Sequence, residues 1–181
     1  EAQRGLSLRF SELDYRDLAQ ARKRTLSVDR YAGYRTLEMY VYGDLDADGD
    51  YGRVMFYFRL GRDSVNFYEQ RKLVHKGWDP RNYIDIDFNE ITALKDAAQR
   101  DRDRTDWDDV DTSNVDGMRV RGDPNVNEIQ YFAAGIINLD STGIRPVSGD
   151  VWLDELRVTD VRRDVGTAAR FSANGNIADL G

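Results

Sequence analysis

The strongest constraint on this chain is an every-second-residue alternation of apolar side chains that recurs along most of its length. Leu6, Leu8 and Phe10 alternate with Ser7 and Arg9, and Leu26 and Val28 repeat the pattern in a short run. Leu37, Met39 and Val41 alternate with Glu38, Tyr40 and Tyr42; Val54, Phe56, Phe58 and Leu60 alternate with Met55, Tyr57 and Arg59. Ile84, Ile86 and Phe88 follow the same rule, as do Met118 to Val120, Ile129 to Leu139 and Val151 to Val158. Successive side chains of a strand point to opposite faces, whereas a helix would spread apolar residues at a spacing of three and four. Runs of this kind separated by turn residues predict an all-β, two-sheet antiparallel sandwich with one face of each sheet buried.

Two stretches read as short helices. Ser11 to Arg24 contains the helix formers Leu18, Ala19, Ala21 and Arg22, over a thin apolar face. Asn89 is placed to cap a helix through Ile91, Leu94 and Ala98, which form one apolar stripe. Arg100 to Asp116 is the most polar segment and reads as a loop, with Trp107 as its one anchor. In the last residues, Phe171, Ala173, Gly175 and Ile177 alternate with Ser172, Asn174 and Asn176. That pattern suits a transmembrane barrel strand, an ordinary edge strand or a tail. The expected organisation is a sandwich over residues 1–166 and a separate C-terminal segment over 167–181.

With 181 residues the chain is long enough for one domain with a substantial core. Its net charge of −7 opposes a phosphate backbone, so nucleic acid is not an expected partner. Cysteine is absent, which excludes disulfides and thiolate metal sites. No apolar run approaches the roughly 20 residues of a membrane helix. The chain starts at Glu1 rather than Met and is read as an excised or processed segment.

The residues that could carry chemistry are few. Asp154 shares a strand face with Trp152, Leu156 and Val158 by simple alternation. If that face points inward, the carboxylate needs a cation, an Arg or several N–H donors, because an unpaired buried charge costs several kcal/mol. A structural calcium ion would serve, and a sheet rim or solvent face is the alternative. Asp44, Asp46, Asp48 and Gly49 match the first half of a helix–loop–helix calcium loop, but its closing position is Met55, and an Asp- and Gly-rich hairpin turn explains the run as well. His75 is the only histidine, and it offers no triad with a nucleophile-elbow motif. Asp85 and Asp87 share one strand face, which a solvated surface explains. The domain is therefore read as non-catalytic. Tyr40, Tyr42, Tyr57 and Tyr68, with Arg59, Arg62 and Trp78, are expected to form an aromatic and cationic ligand face suited to sugar or peptide, or else to cover a second buried face.

Several blocks resemble one family. Arg24 to Tyr31 followed by Tyr34 to Gly43, Phe58 to Asp63 with Asn66 to Glu69, Asn82 to Asn89 with Leu94 and Lys95, and the Gly122-Asp-Pro-Asn125 turn occur in the order of the SprA-like pattern. The most specific block is Gly149-Asp-Val-Trp-Leu-Asp-Glu-Leu-Arg-Val-Thr-Asp160, then Ala168 to Asn174 and Ile177 to Gly181. Asp154 stands where that family usually carries Asn, and Arg100 to Asp116 falls outside the matched blocks. The resemblance implies a soluble insert of an outer-membrane translocon of type IX secretion and gliding motility, on the cell-surface or periplasmic side. Its partners would be other domains of the parent protein and secretion-system proteins, and residues after Ala168 would enter a barrel strand. The insert is also similar to jelly-roll carbohydrate-binding modules, in which an Asp-containing terminal strand often closes a structural calcium site. That likeness implies a possible glycan ligand.

Overall fold

The computed structural model describes residues 6–29, 31, 33–98, 116–142 and 145–159. They form nine strands and one helix: β1 (Leu6–Leu13), β2 (Leu18–Asp29), β3 (Thr36–Leu45), β4 (Val54–Gly61), β5 (Phe67–Leu73), β6 (Ile84–Asp87), α1 (Phe88–Ala98), β7 (Gly117–Arg121), β8 (Ile129–Asn138) and β9 (Val147–Thr159). Sheet A has the order β1-β9-β3-β6 and sheet B the order β2-β8-β4-β5-β7, with every pairing antiparallel. All connections but β4–β5 and β7–β8 cross from one sheet to the other. The expected two-sheet sandwich is the fold.

The core forms where the inward rows of the two sheets meet. Leu37, Met39 and Val41 of β3, Ile84 and Ile86 of β6, and Val151 and Leu153 of β9 face Val54, Phe56, Phe58 and Leu60 of β4 and Ala134 and Ile136 of β8. Helix α1 runs from β6, the edge of sheet A, and packs against β7, the edge of sheet B, so Phe88, Ile91 and Ala98 close that side. Its N-cap is Asp87 rather than the expected Asn89. The Asp87 Oδ1 accepts the Asn89 N–H at 2.7 Å and the Glu90 N–H at 3.4 Å.

Two expectations require correction, and one strand carries a pattern that alternation did not reveal. Ser11 to Arg24 is not helical; it is the end of β1, a turn at residues 14–17 and the first half of β2. The Arg16 N–H donates to the Asn138 carbonyl, and β2 pairs with β8 from Leu18↔Ile137 to Arg24↔Tyr131. Pairing overrides the helix-favouring composition of an edge strand. Strand β5 carries no clean alternation because Phe67, Tyr68, Glu69, Gln70 and Arg71 are all buried. Finally, alternation along β9 breaks. Tyr40 pairs with Asp154 but Glu38 pairs with Arg157, so β9 holds an extra residue in between. This bulge exchanges the faces. Trp152 and Asp154 point outward, while Val158 packs on the core opposite Leu37. Asp154 is thus not aimed inward. Trp107, the rest of the predicted loop up to residue 115, and the C-terminal segment 167–181 lie outside the described residues.

Candidate binding face

The outward row of sheet A is read directly from its register. Ser7, Trp152 and Tyr42 lie side by side across β1, β9 and β3; Asp154 sits beside Tyr40; Arg157, Glu38 and Asp85 follow. Trp78, from the loop after β5, lies 5.0 Å from Tyr42 between ring centroids, and Trp152 lies 5.2 Å from Tyr42 on its other side. Tyr83 packs on Tyr40 at 4.9 Å. Tyr40, Trp78 and Trp152 remain 42%, 53% and 45% exposed. Such spacings are those of attractive tilted ring pairs, so the rings support one another while leaving faces to solvent. Between them runs an open groove of about 700 Å³ lined by Tyr40, Trp78, Pro80 and Tyr83, with Asp79 and Asp154 at its rim.

The loop that carries Trp78 is held from below. The buried Asn82 side chain accepts the His75 N–H at 2.8 Å and donates to the carbonyls of His75 (2.8 Å) and Gly77 (3.1 Å). Gly43 and Gly77 exchange backbone hydrogen bonds at 3.2 and 2.8 Å, which ties the loop to β3. A β-carbon at Gly43 would strike the His75 carbonyl, and Gly77 has a φ of +70°, so both positions favour glycine. Asp79 accepts from the Arg81 side chain and N–H, capping the short 3-10 turn Pro80–Asn82; those bonds hold its carboxyl well below the ordinary range. His75 thus serves the loop through its backbone.

Charged pairs bound the aromatic strip at both ends. At one end the Arg9 guanidinium straddles Asp150 at 3.1 Å, with Asp44 exposed alongside. At the other, Arg157 donates to Glu38 at 3.0 Å and lies 5.8 Å from the Tyr40 ring centre. The Tyr83 hydroxyl, together with Arg157 and Thr159, holds the Glu38 carboxyl below its usual pKa. Burial, then the Glu38 hydrogen bond, pushes Tyr83 up. Asp85 is raised instead, by burial first and then by Glu38 and Asp87 nearby.

Sequence reasoning placed Tyr40, Tyr42 and Trp78 in a ligand face, and the structure brings them together. It does not bring the others. Tyr57 and Arg59 are on the outward face of sheet B, where both are buried. Arg59 donates to Glu69 at 2.6 Å, and Glu69 also receives Arg71. Tyr68 points into the core and donates to the Pro124 carbonyl at 3.2 Å. Arg62 sits at the β4–β5 turn against Asp63. The reason is topological: β3 and β4 are consecutive but belong to different sheets, so equal alternation does not mean a shared face. Trp152 and Tyr83 were missed as ligand-face residues, although the alternation of Trp152 with buried Val151 and Leu153 carried the signal for the first.

The candidate calcium residues diverge. Asp48 pairs with Lys76 at 2.7 Å, and neighbouring Asp50 pairs with Arg145 at 2.8 Å. Asp44 and Asp46 are exposed, and Asp154 lies on the outer face of β9. Among the described residues no group of three or more His, Cys, Asp or Glu side chains is placed to hold a metal ion. Among them too, no helix is long and apolar enough to cross a membrane, which says nothing of a β-barrel. No protein-family model matches the chain, and no curated protein matches it.

Proposed function

We propose that this sandwich is a non-catalytic interaction domain of a SprA-like outer-membrane secretion translocon, and that it works through the outer face of sheet A. The ordered sequence blocks support the translocon context, above all Gly149 to Asp160 followed by Ala168 to Asn174 and Ile177 to Gly181. The observation that carries the interaction role is the strip Trp78–Tyr42–Trp152 beside the Tyr40–Tyr83 pair, with Tyr40, Tyr42 and Trp152 on paired strands and Trp78 on a loop tied to β3. Large aromatic rings on a rigid support provide contact area at little cost in side-chain entropy, and they concentrate at recognition hot spots. The partners would be other domains of the parent protein or components of the secretion machinery at the outer membrane. The test is the double variant Trp78→Ala/Trp152→Ala in the full parent protein in cells. Cargo export should fall while the parent protein reaches the outer membrane in normal amount. Undiminished export would refute the reading.

A second reading, carbohydrate binding, is favoured by the groove itself. Rings that stack on sugar faces stand beside Asp79 and Asp154, whose carboxylates can accept hydroxyl hydrogens. Saturable glycan binding that disappears in the same double variant supports this reading, and binding that survives it argues against it.

A further inference from the structure

The side of the sandwich opposite α1 is left partly open. There the edge strands β1 and β2 face each other across the two sheets, and a cleft of about 450 Å³ enters between them. Its floor is apolar: Met39 and Leu153 from sheet A, Phe58 and Phe132 from sheet B. The space exists because the inward row of β2 is thin. Ala21 lies opposite Ala134, and neither fills the gap that larger residues occupy farther in. The mouth is also apolar. Leu6 is 47% exposed and Leu156, which lines the cleft from within the β9 bulge, is 53% exposed.

Among the described residues the rim carries charge of one sign. Arg22 and Lys23 line the cleft; among the described residues no carboxylate does, and neither cation has an ion-pair partner. Lys23 pairs with Phe132 on β8, and so it belongs to the row that faces between the sheets. Two cations with no ion-pair partner among the described residues stand out at an apolar opening on a chain of net charge −7. Volumes of roughly 300–1,000 Å³ with an apolar lining and a few polar groups are those of small-ligand sites. An apolar slot with a cationic lip selects a ligand with an apolar body and an anionic head. We propose that this cleft binds a free fatty acid, its acyl chain between Met39, Phe58, Phe132 and Leu153 and its carboxylate against Lys23, with Arg22 next to it on the outward side of the same edge strand. The site is separate from the aromatic face of sheet A, so either can fail alone.

The experiment is calorimetric titration of the protein with dodecanoate below its micelle concentration, with dodecylammonium as the opposite-charge control and anionic phospholipid vesicles as a membrane control. One saturable site for dodecanoate is expected, with clearly weaker dodecylammonium binding. Ala21→Phe fills the slot and should abolish binding. Arg22→Glu/Lys23→Glu changes only exposed side chains and should weaken dodecanoate about tenfold or more, since each tenfold corresponds to the loss of one good charge interaction. Trp78→Ala/Trp152→Ala should leave the titration unchanged. If Ala21→Phe does not fold, the charge-reversed pair decides alone. The proposal is overturned by the absence of a saturable site, by affinity unchanged in the charge-reversed protein, by loss of binding in the Trp variant, or by binding to vesicles only.

Discussion

The outward faces of the two sheets are built from the same residue types and end in opposite states. On sheet A, Tyr40, Trp78 and Trp152 stand in solvent, and the Glu38–Arg157 pair sits at the surface. On sheet B, Tyr57, Phe67, Arg59, Glu69 and Arg71 also point away from the interior between the sheets, yet all are buried, with Glu69 receiving both Arg59 and Arg71. Arginine, carboxylate and tyrosine therefore do not identify a binding face by themselves. Burial decides whether such a group is available to a partner or committed to the fold.

That contrast has measurable consequences. The largest concerns Glu69. Glu69→Ala should lower unfolding stability by about 3–5 kcal/mol in urea, because removing the carboxylate from a buried pair leaves charge without its partner. Next is the loop under the aromatic strip: Asn82→Ala should cost about 1–3 kcal/mol, the penalty for stranding buried backbone groups. It should also shift the fluorescence of Trp78, whose loop it releases. The Glu38→Gln change on sheet A should cost under about 1 kcal/mol, as expected of a surface ion pair. Equal losses for Glu69→Ala and Glu38→Gln would erase the distinction between the faces.

Acid should act on the Glu38 pair in a defined direction. Its folded pKa is depressed below the ordinary 4.5, first by the Tyr83 hydrogen bond and then by Arg157 and Thr159. The folded state therefore releases this proton more readily than the unfolded chain. The resulting stability is present in full above about pH 4.5 and fades as pH falls through the depressed folded value. Glu38→Gln should remove this increment, under about 1 kcal/mol, at neutral pH and make no difference below the depressed folded value, so the acid limb of the stability curve becomes flatter. An unaltered acid limb would contradict the assignment. The smallest effect is expected at the strip itself. Trp152→Ala should change stability by no more than about 0.5 kcal/mol, since an exposed side chain supports little of the core.

Much of the architecture was legible because burial on one face writes a period of two into β1, β3, β6 and the first halves of β8 and β9. The failures have local causes. β2 looked helical because Ala19, Ala21 and Arg22 are good helix formers, while the pairing with β8 that fixes them is remote in sequence. β5 carried no period because both of its faces are covered. Asp154 lies on the outward face, the alternative that alternation left open, and the bulge that separates it from inward Val158 is one that composition does not announce. In the candidate site, Tyr40 and Tyr42 were recognisable from β3 alone. Tyr57 and Tyr68 were wrongly joined to them, because alternation assigns a residue to a face but not to a sheet. Trp78 depends on the Asn82 and Gly43 contacts that seat its loop, and such long-range contacts are not visible in a linear pattern.

The central claim is that one outward face is open and the other is committed to the fold. Hydroxyl-radical footprinting read out by mass spectrometry tests it in a single measurement. Tyr40, Trp78 and Trp152 should be oxidised rapidly in the native protein, while Tyr57, Phe67 and Tyr68 should stay protected until the chain unfolds. Oxidation of Tyr57 and Phe67 as fast as that of Trp78 and Trp152 would contradict it.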